Sequence, residues 1–395
     1  MTFPNLKNER IRILDILRGF ALTGVLLANI EGFVTFALPD SEVDAMTNTI
    51  ADKITEHFLQ LFISGKFISI FSMLFGYGFG VLIEKITAKG INANRFFLLR
   101  MGWLLLIGLL HLCIWQGDIL NVYASCGMLL LFFRKLSSGK IITLGLLFLL
   151  VGGPLVQGLK LYLLEADPPE RDIILANYVA AIKDGNFIRI AETNYKTIWY
   201  IYFERWAQFR DMFETLGRFL IGYWFLKINL LNGLSSKKQL LKKVWLLALL
   251  VAIIYLSEQV FTEILDIKFT SNSGKILEYT FTRMGILAMA IFYCCSLVLF
   301  FLKHNQLRAF LFFEYIGKMS LTNYLTQSFF YLLIFYGCGL GLLGKIHLYM
   351  ILPLSLIIYF LQILFCKYWI KSYNYGPVEW IWRQLTYWKR LPIKK

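Results

Sequence analysis

Charge is scarce in this chain. Only 16% of its 395 residues are Asp, Glu, Lys or Arg, whereas 58% are hydrophobic and 17% aromatic. That balance excludes both a soluble globular protein and a disordered one, and leaves a bilayer as the solvent. Cysteine is also rare. Cys113, Cys126, Cys294, Cys295, Cys338 and Cys366 lie mostly inside apolar runs, and they form neither a Cys-x-x-Cys pair nor a Cys/His ligand spacing. They read as small apolar fillers, and no metal is expected. There is no low-complexity linker and no repeat of fixed period. The formal charge of +15 comes from short Lys/Arg clusters between apolar runs rather than from a stripe on one face, which argues against nucleic acid.

What is abundant is long apolar sequence. A hydrocarbon core of about 30 Å needs about 20 apolar residues per helix, and in lipid the backbone must satisfy its own hydrogen bonds. Ten runs qualify, at 14–36, 58–84, 97–116, 118–134, 141–164, 212–231, 243–265, 281–302, 319–339 and 346–370. The expected fold is therefore an all-α integral membrane protein of about ten transmembrane helices. The basic start followed by an apolar run is like a secretory signal, but Asp15 and Arg18 interrupt the run and no Ala-x-Ala-like cleavage site follows, so it is expected to stay as the first helix.

Orientation follows from the loops, since Lys and Arg in short loops are retained in the cytoplasm. One alternating set holds Arg12, Lys85/Lys89/Arg95/Arg100, Arg134/Lys135/Lys140, Lys237/Lys238, Lys303/Arg308/Lys318 and the tail Arg383/Lys389/Arg390. The other set is poor in Lys/Arg for its length and carries Asp40, Glu42, Asp44, Glu165, Asp167, Glu258 and Glu263. The reading is both termini inside, with a five-helix region at 1–164, an outer segment at 165–211 and a second five-helix region at 212–395. The outer segment interleaves aromatics and charges (Tyr195, Trp199, Tyr202, Phe203, Arg205, Arg210), as expected of interfacial helices. After Gly376-Pro377, the tail Glu379-Trp380-Ile381-Trp382-Arg383 looks similar, and an anchoring aromatic belt explains most of these residues.

Ionisable side chains cost about 2.5–3.5 kcal/mol each at the centre of a membrane helix, so the few present must be paired, snorkelling or functional. Asp15 and Arg18 are three apart and share a helix face; Asn29, eleven residues beyond Arg18, returns to it. Arg100 and His111 repeat that geometry in the third run, about 16 Å apart along one face. Asp118 follows two turns later if the helix persists. A histidine oriented by a carboxylate suits a general base, although a packing histidine fits the same spacing. Gly76 and Gly80 form a small-x-x-x-small face for close helix packing, and Lys66 either snorkels or neutralises a phosphate. Asn323 and Gln327 place two amides on one face, which suits either a wet cavity or inter-helix bonding.

These residues fall in motifs that resemble the YeiB-like bacterial membrane proteins, whose C-terminal half is a domain of unknown function, number 418. The motifs run Leu14-Asp15-Ile16-Leu17-Arg18-Gly19-Phe20 with Asn29, Gly65-Lys66-Phe67 with Phe71-Ser72-Met73-Leu74-Phe75-Gly76, Gly108-Leu109-Leu110-His111 with Gly117-Asp118, Leu321-Thr322-Asn323-Tyr324 with Gln327-Ser328, and Gly376-Pro377 with Glu379-Trp380. They cover nearly the whole chain. The N-terminal half also resembles the catalytic region of heparan-α-glucosaminide N-acetyltransferase, and Arg100-x₁₀-His111 resembles the Arg-x₁₀-His motif of the acyltransferase-3 family. Those families place a histidine in or just after the first helix, where this chain has Asn29, so His57 rivals His111.

The resemblance implies a bacterial cytoplasmic-membrane acyltransferase that takes an acyl group, such as acetyl, from cytoplasmic acyl-CoA to an outer acceptor hydroxyl or amine on a sugar, lipid or peptide. The expected CoA-binding set is Asp15, Arg18, Lys66, Ser72 and Arg100. His111 with Asp118 is the expected base or acyl carrier, and Asn29, Asn323 or Gln327 would stabilise the oxyanion. Expected partners are the bilayer and acyl-CoA, no nucleic acid, and a second copy if the chain dimerises. A small-solute transporter and a non-catalytic membrane sensor or scaffold are the competing classes, and no inverted repeat between 1–164 and 212–370 favours transport.

Overall fold

The computed structural model describes residues 6–36, 38–163, 170–200 and 206–395, with side chains described from Arg12 onward. Glu165, Asp167, Tyr202, Phe203 and Arg205, part of the expected outer segment, lie outside the described residues. The described residues form α1 (Leu6–Thr35), α2 (Asp40–Met46), α3 (Ile50–Phe58), α4 (Lys66–Thr87), α5 (Ala93–Leu112), α6 (Leu120–Phe133), α7 (Ser138–Leu147) and α8 (Gly153–Leu163). Beyond them come α9 (Glu170–Asp184), α10 (Phe187–Ile198), α11 (Ala207–Lys227), α12 (Lys238–Ile264), α13 (Asn272–His304), α14 (Arg308–Lys318), α15 (Ser320–Phe335), α16 (Ile351–Ser372) and α17 (Pro377–Tyr387).

The molecule is an all-α membrane protein. Seven helical stretches among the described residues are long and apolar enough to cross a bilayer: Arg12–Thr35, Ile50–Thr87, Ala93–Leu112, Ser138–Leu163, Lys238–Ile264, Asn272–His304 and Leu348–Ser372. The three other runs expected to span are also helices, α6, α11 and α15, but do not qualify alone. At 14 and 16 residues, α6 and α15 are only about 21 and 24 Å long. Helix α11 carries Asp211, Glu214 and Arg218. These elements are sheltered by protein: α11 buries a continuous run from Glu214 to Tyr223, and α15 buries Leu321 to Tyr324.

Glycines set the closest helix contacts. A Cβ on Gly76 would lie 1.9 Å from the Phe219 carbonyl oxygen, and one on Gly222 1.8 Å from that of Met73, so α4 and α11 touch backbone to backbone through both. Gly80 continues the contact against Tyr223 and Leu226, as the small-x-x-x-small spacing predicts. Gly19 and Gly317 do the same for α1 and α14, against the carbonyls of Phe313 and Asp15. Gly65, at φ 81°, turns the chain between a π-helical segment (Leu59–Ile63) and α4.

Helix α1 packs against α14, α15 and α16 as well as α4. The ends that carry the basic loops meet at one end of the bundle, around the starts of α1, α5 and α15 and the ends of α4 and α16. At the opposite end, buried Asp52 accepts hydrogen bonds from Tyr349 N–H (3.0 Å) and Thr49 Oγ1 (2.6 Å) and pairs with His347 Nδ1 (3.0 Å). Helices α9 and α10 pack together there, and Lys183 donates to Glu42 at 2.9 Å.

Candidate functional site

At the basic end a cavity of about 550 Å³ opens between α1, α4, α5, α15, α16 and α17, within the usual size of a small-ligand site. Five cations line it: Arg18, Lys85, Arg100, Lys318 and Arg383. Its two carboxylates are already committed. Asp15 accepts from Arg18 Nη1 at 3.1 Å, the pair expected from their spacing. Glu379 accepts from the Leu321 and Thr322 N–H groups at 2.7 and 3.0 Å and from the Thr322 hydroxyl, so it caps α15. Burial holds the Glu379 carboxyl above the usual carboxylate range, and these hydrogen bonds offset only part of that rise. The Arg18 guanidinium has room because Gly78 faces it; a Cβ there would stand 3.2 Å from Nη2.

The tail does more than anchor. Trp382 stacks on the Arg100 guanidinium, 3.5 Å from its ring centroid, and its Nε1 donates to the Arg100 carbonyl at 2.8 Å. Arg383 lies over Tyr375, 4.7 Å from its centroid. A Cβ at position 376 would meet Glu379 Oε2 at 2.1 Å, so a side chain there would have to displace the Glu379 carboxylate. Glu379, Trp382, Arg383, Lys85 and Lys318 are thus site residues that the spacing argument missed. The signal was present in the Gly-Pro-x-Glu-Trp-x-Trp-Arg run, but an interfacial belt has the same composition.

From the cavity an apolar throat of about 80 Å³ leads inward, sharing Phe71, Phe75, Ser320, Leu321 and Trp382 with its mouth. Ile119, Leu120, Tyr123 and Tyr324 also line it. Beyond Tyr324 is His111, 5.4 Å away between ring centroids and 4% exposed. Its Nδ1 lies 2.8 Å from Asp118 Oδ1. The expected route differs from the actual one: α5 stops at Leu112, the chain turns through 113–119, and Asp118 returns to His111 from the start of α6 rather than along one helix. Asp118 Oδ2 is fixed in turn by the Asn121 N–H (2.9 Å) and Nδ2 (3.1 Å). With Nδ1 facing a carboxylate, the proton belongs on Nδ1 and the lone pair on Nε2. His111 Nε2 is buried with no hydrogen-bond partner among the described residues, as are Trp115 Nε1 and Ser328 Oγ.

Several expected site residues lie elsewhere. Lys66 starts α4 and lies about 29 Å along the helix from the cavity cation Lys85; α4 lines the cavity from Phe71 onward, but Lys66 itself does not. Its Nζ donates to the Gln60 carbonyl at 2.6 Å and sits over Tyr255, which removes it from the set that could hold a phosphate in this cavity. Ser72 faces away from the cavity and bonds Tyr123 Oη at 2.6 Å, so it touches the throat only through that ring. Asn323 donates to the Ile316 carbonyl at 3.1 Å, and Gln327 Nε2 donates to Gln362 Oε1 at 3.2 Å, both toward α14 and α16. They are inter-helix bonds, the plainer of the two readings. Asn29 is half-buried and lines neither cavity nor throat. His57 is part-exposed, pairs with Glu263 and accepts no role at the throat. All six cysteines are free thiols.

Comparison with known proteins follows the same lines. Residues 225–389 match the family described as Protein of unknown function (DUF418). The chain is 30% identical over 395 residues to the "Uncharacterized 39.9 kDa protein in amylase 3'region" of Bacillus acidopullulyticus, covering 99% of this chain and 97% of that one. It is 28% identical to the "Uncharacterized protein YxaH" of Bacillus subtilis (99% and 98% covered) and 28% identical to the "Uncharacterized protein YeiB" of Escherichia coli (96% and 96% covered). No solved structure matches.

Proposed function

The chain belongs to the YeiB-like DUF418 family, and on that premise we propose that it is a transmembrane acyltransferase, moving an acyl group such as acetyl from cytoplasmic acyl-CoA to an acceptor hydroxyl or amine at the outer face. One observation carries the proposal: a buried His111–Asp118 pair whose Nε2 has no partner among the described residues, packed behind Tyr324, which lines a throat that shares its walls with a cavity lined by five cations. The basic end is taken as cytoplasmic, from the Lys/Arg bias of its loops.

CoA carries a diphosphate and a further phosphate, and these suit Arg18, Arg100, Lys85 and Arg383 at the mouth. The Trp382–Arg100 stack offers a planar surface beside them. The acylated arm then enters an apolar throat, where water is scarce and the thioester is protected from hydrolysis. At the inner end, His111 Nε2 takes the proton of the acceptor as the acceptor's lone pair forms the new bond to the thioester carbon. When the carbonyl reforms, the C–S bond breaks with its electron pair on sulfur, and His111 returns the proton to that sulfur. Asp118 holds the tautomer that makes this exchange available.

The test uses purified full-length protein in detergent with radiolabelled acetyl-CoA and glucosamine or glycerol as acceptor probes. The expected result is saturable binding, thiol release, and loss of release but not of binding in His111→Ala. Absence of binding, or release unaffected by His111→Ala, overturns the proposal. Solute uptake into proteoliposomes lacking acyl-CoA would favour a transporter instead.

A further inference from the structure

Helix α5 presents two faces. Phe97, Arg100 and Met101 line the cation-rich cavity, while elsewhere on its surface runs a groove of about 710 Å³ whose walls, from Asn92 to Leu106, come from α5 and the residue that caps it. The groove plays no part in acyl transfer as proposed above. We propose that it holds one inner-leaflet phospholipid with an anionic headgroup, the phosphate against Arg95 and an acyl chain along Leu98, Gly102 and Leu106. Such a site stands whether or not the cavity holds acyl-CoA.

The groove is polar at one end only. Asn92, Asn94 and Arg95 stand exposed at the basic end of the bundle, and from Leu98 inward the lining is Leu, Gly and Trp. No Asp or Glu lines it, so nothing within the groove compensates the Arg95 charge. A guanidinium binds phosphate oxygens well, and a basic patch at the cytoplasmic side of a membrane attracts anionic lipids. The depth fits as well. Helix α5 has 20 residues, about 30 Å or one hydrocarbon thickness, and Arg95 is its third, which places the cation at headgroup level. Leu106 lies eleven residues deeper, about 16 Å, close to the thickness of one leaflet. Between them Leu98, Leu99 and Gly102 recur at the three- and four-residue spacing of one helix face.

Gly102 makes the notch for the chain. It is exposed, and a Cβ there would meet nothing within 4 Å, unlike Gly76, Gly222 and Gly317, where the missing side chain lets two helices touch. Glycine weakens a helix interior, and here no close helix contact offsets the loss. A second copy of the chain is the rival occupant. Copies related by a two-fold axis along the membrane normal meet at equal depth, so Arg95 would face its own counterpart across the contact. An anionic headgroup replaces that repulsion with attraction.

Native mass spectrometry of the purified full-length protein in detergent, with phosphatidylglycerol or phosphatidylcholine added, tests the site. The expected result is one phosphatidylglycerol retained per monomer where phosphatidylcholine is lost, with retention about fivefold weaker in Arg95→Ala. Gly102→Leu, which fills the notch and leaves Arg95 in place, should also weaken retention. Equal retention of the two lipids by wild type overturns the proposal, as does a preference for phosphatidylglycerol undiminished in Arg95→Ala. Should that variant fail to fold, Arg95→Gln takes its place with the same two outcomes. Retention unchanged in Gly102→Leu overturns the seating of the acyl chain. A dimer that Gly102→Leu converts to monomer overturns the lipid, because a second copy then fills the groove.

Discussion

Replacing Asp118 by Asn changes one atom in size and reverses the chemistry of His111. In the wild type, Oδ1 faces His111 Nδ1 at 2.8 Å, and Oδ2 receives the Asn121 N–H at 2.9 Å and Asn121 Nδ2 at 3.1 Å. An asparagine has one acceptor for these two sides. The Asn121 backbone N–H starts a helix and is fixed, so the side-chain oxygen should stay there, and the new NH₂ should turn to His111. Nδ1 must then accept, its proton moves to Nε2, and Nε2 can no longer take a proton from an acceptor. In hydrolase triads the same change costs about 10⁴-fold, or about 5.4 kcal/mol at 1.36 kcal/mol per tenfold. Acetyl-CoA binding should be unchanged within a few-fold, because neither residue lines the cation-rich cavity. The measurement is thiol release by purified protein, paired with ¹⁵N NMR of histidine-labelled protein, where a chain with four histidines gives few signals to assign. The reasoning is refuted if Asp118→Asn releases thiol within twofold of wild type, or if the His111 tautomer is the same in both.

Other outcomes follow from the same contacts. Gly222→Ala places a Cβ 1.8 Å from the Met73 carbonyl oxygen and should separate α4 from α11, lowering thermal stability by about 1–3 kcal/mol in a detergent melting series. Trp382→Ala removes the stack on Arg100 and should weaken acetyl-CoA binding by about 0.5–2 kcal/mol, measured by equilibrium dialysis; an unchanged affinity would separate the tail from the cofactor. Lys66→Met should leave that affinity unchanged within twofold while Arg100→Ala lowers it, because Lys66 does not line the cavity and its Nζ is held by the Gln60 carbonyl and the Tyr255 ring.

The helices and the close pairs within them were legible from the sequence, because they depend on spacing along one element. Asp15 and Arg18 meet as the period of a helix requires, and Gly76 and Gly80 make the contact that small residues allow. What spacing could not supply was direction across elements. It brought Lys66 and Arg100 together as cations, yet each lies near the start of a helix of opposite sense, so they point to opposite ends of the bundle. It paired His111 with Asp118 on a continuous helix, whereas a tight turn makes the pair. Likewise the amides Asn323 and Gln327 share a face, but that face meets α14 and α16 rather than the throat, which the neighbouring Tyr324 lines instead. The tail was ambiguous for a different reason: a Trp/Arg composition fits a membrane surface and the wall of a cation-lined cavity equally well.

The narrowness of the apolar throat has an electrical consequence. A cell that maintains a proton gradient cannot tolerate a water-filled passage through one of its resident proteins, and a waist of about 80 Å³ bounded by Leu22, Val25, Ile68 and Leu104 offers hydrated ions no shell to exchange for their own. An uncharged reactive group could be handed across such a waist while sodium, potassium and protons are refused, so reconstituted vesicles should hold an imposed potential whether or not acetyl-CoA is present.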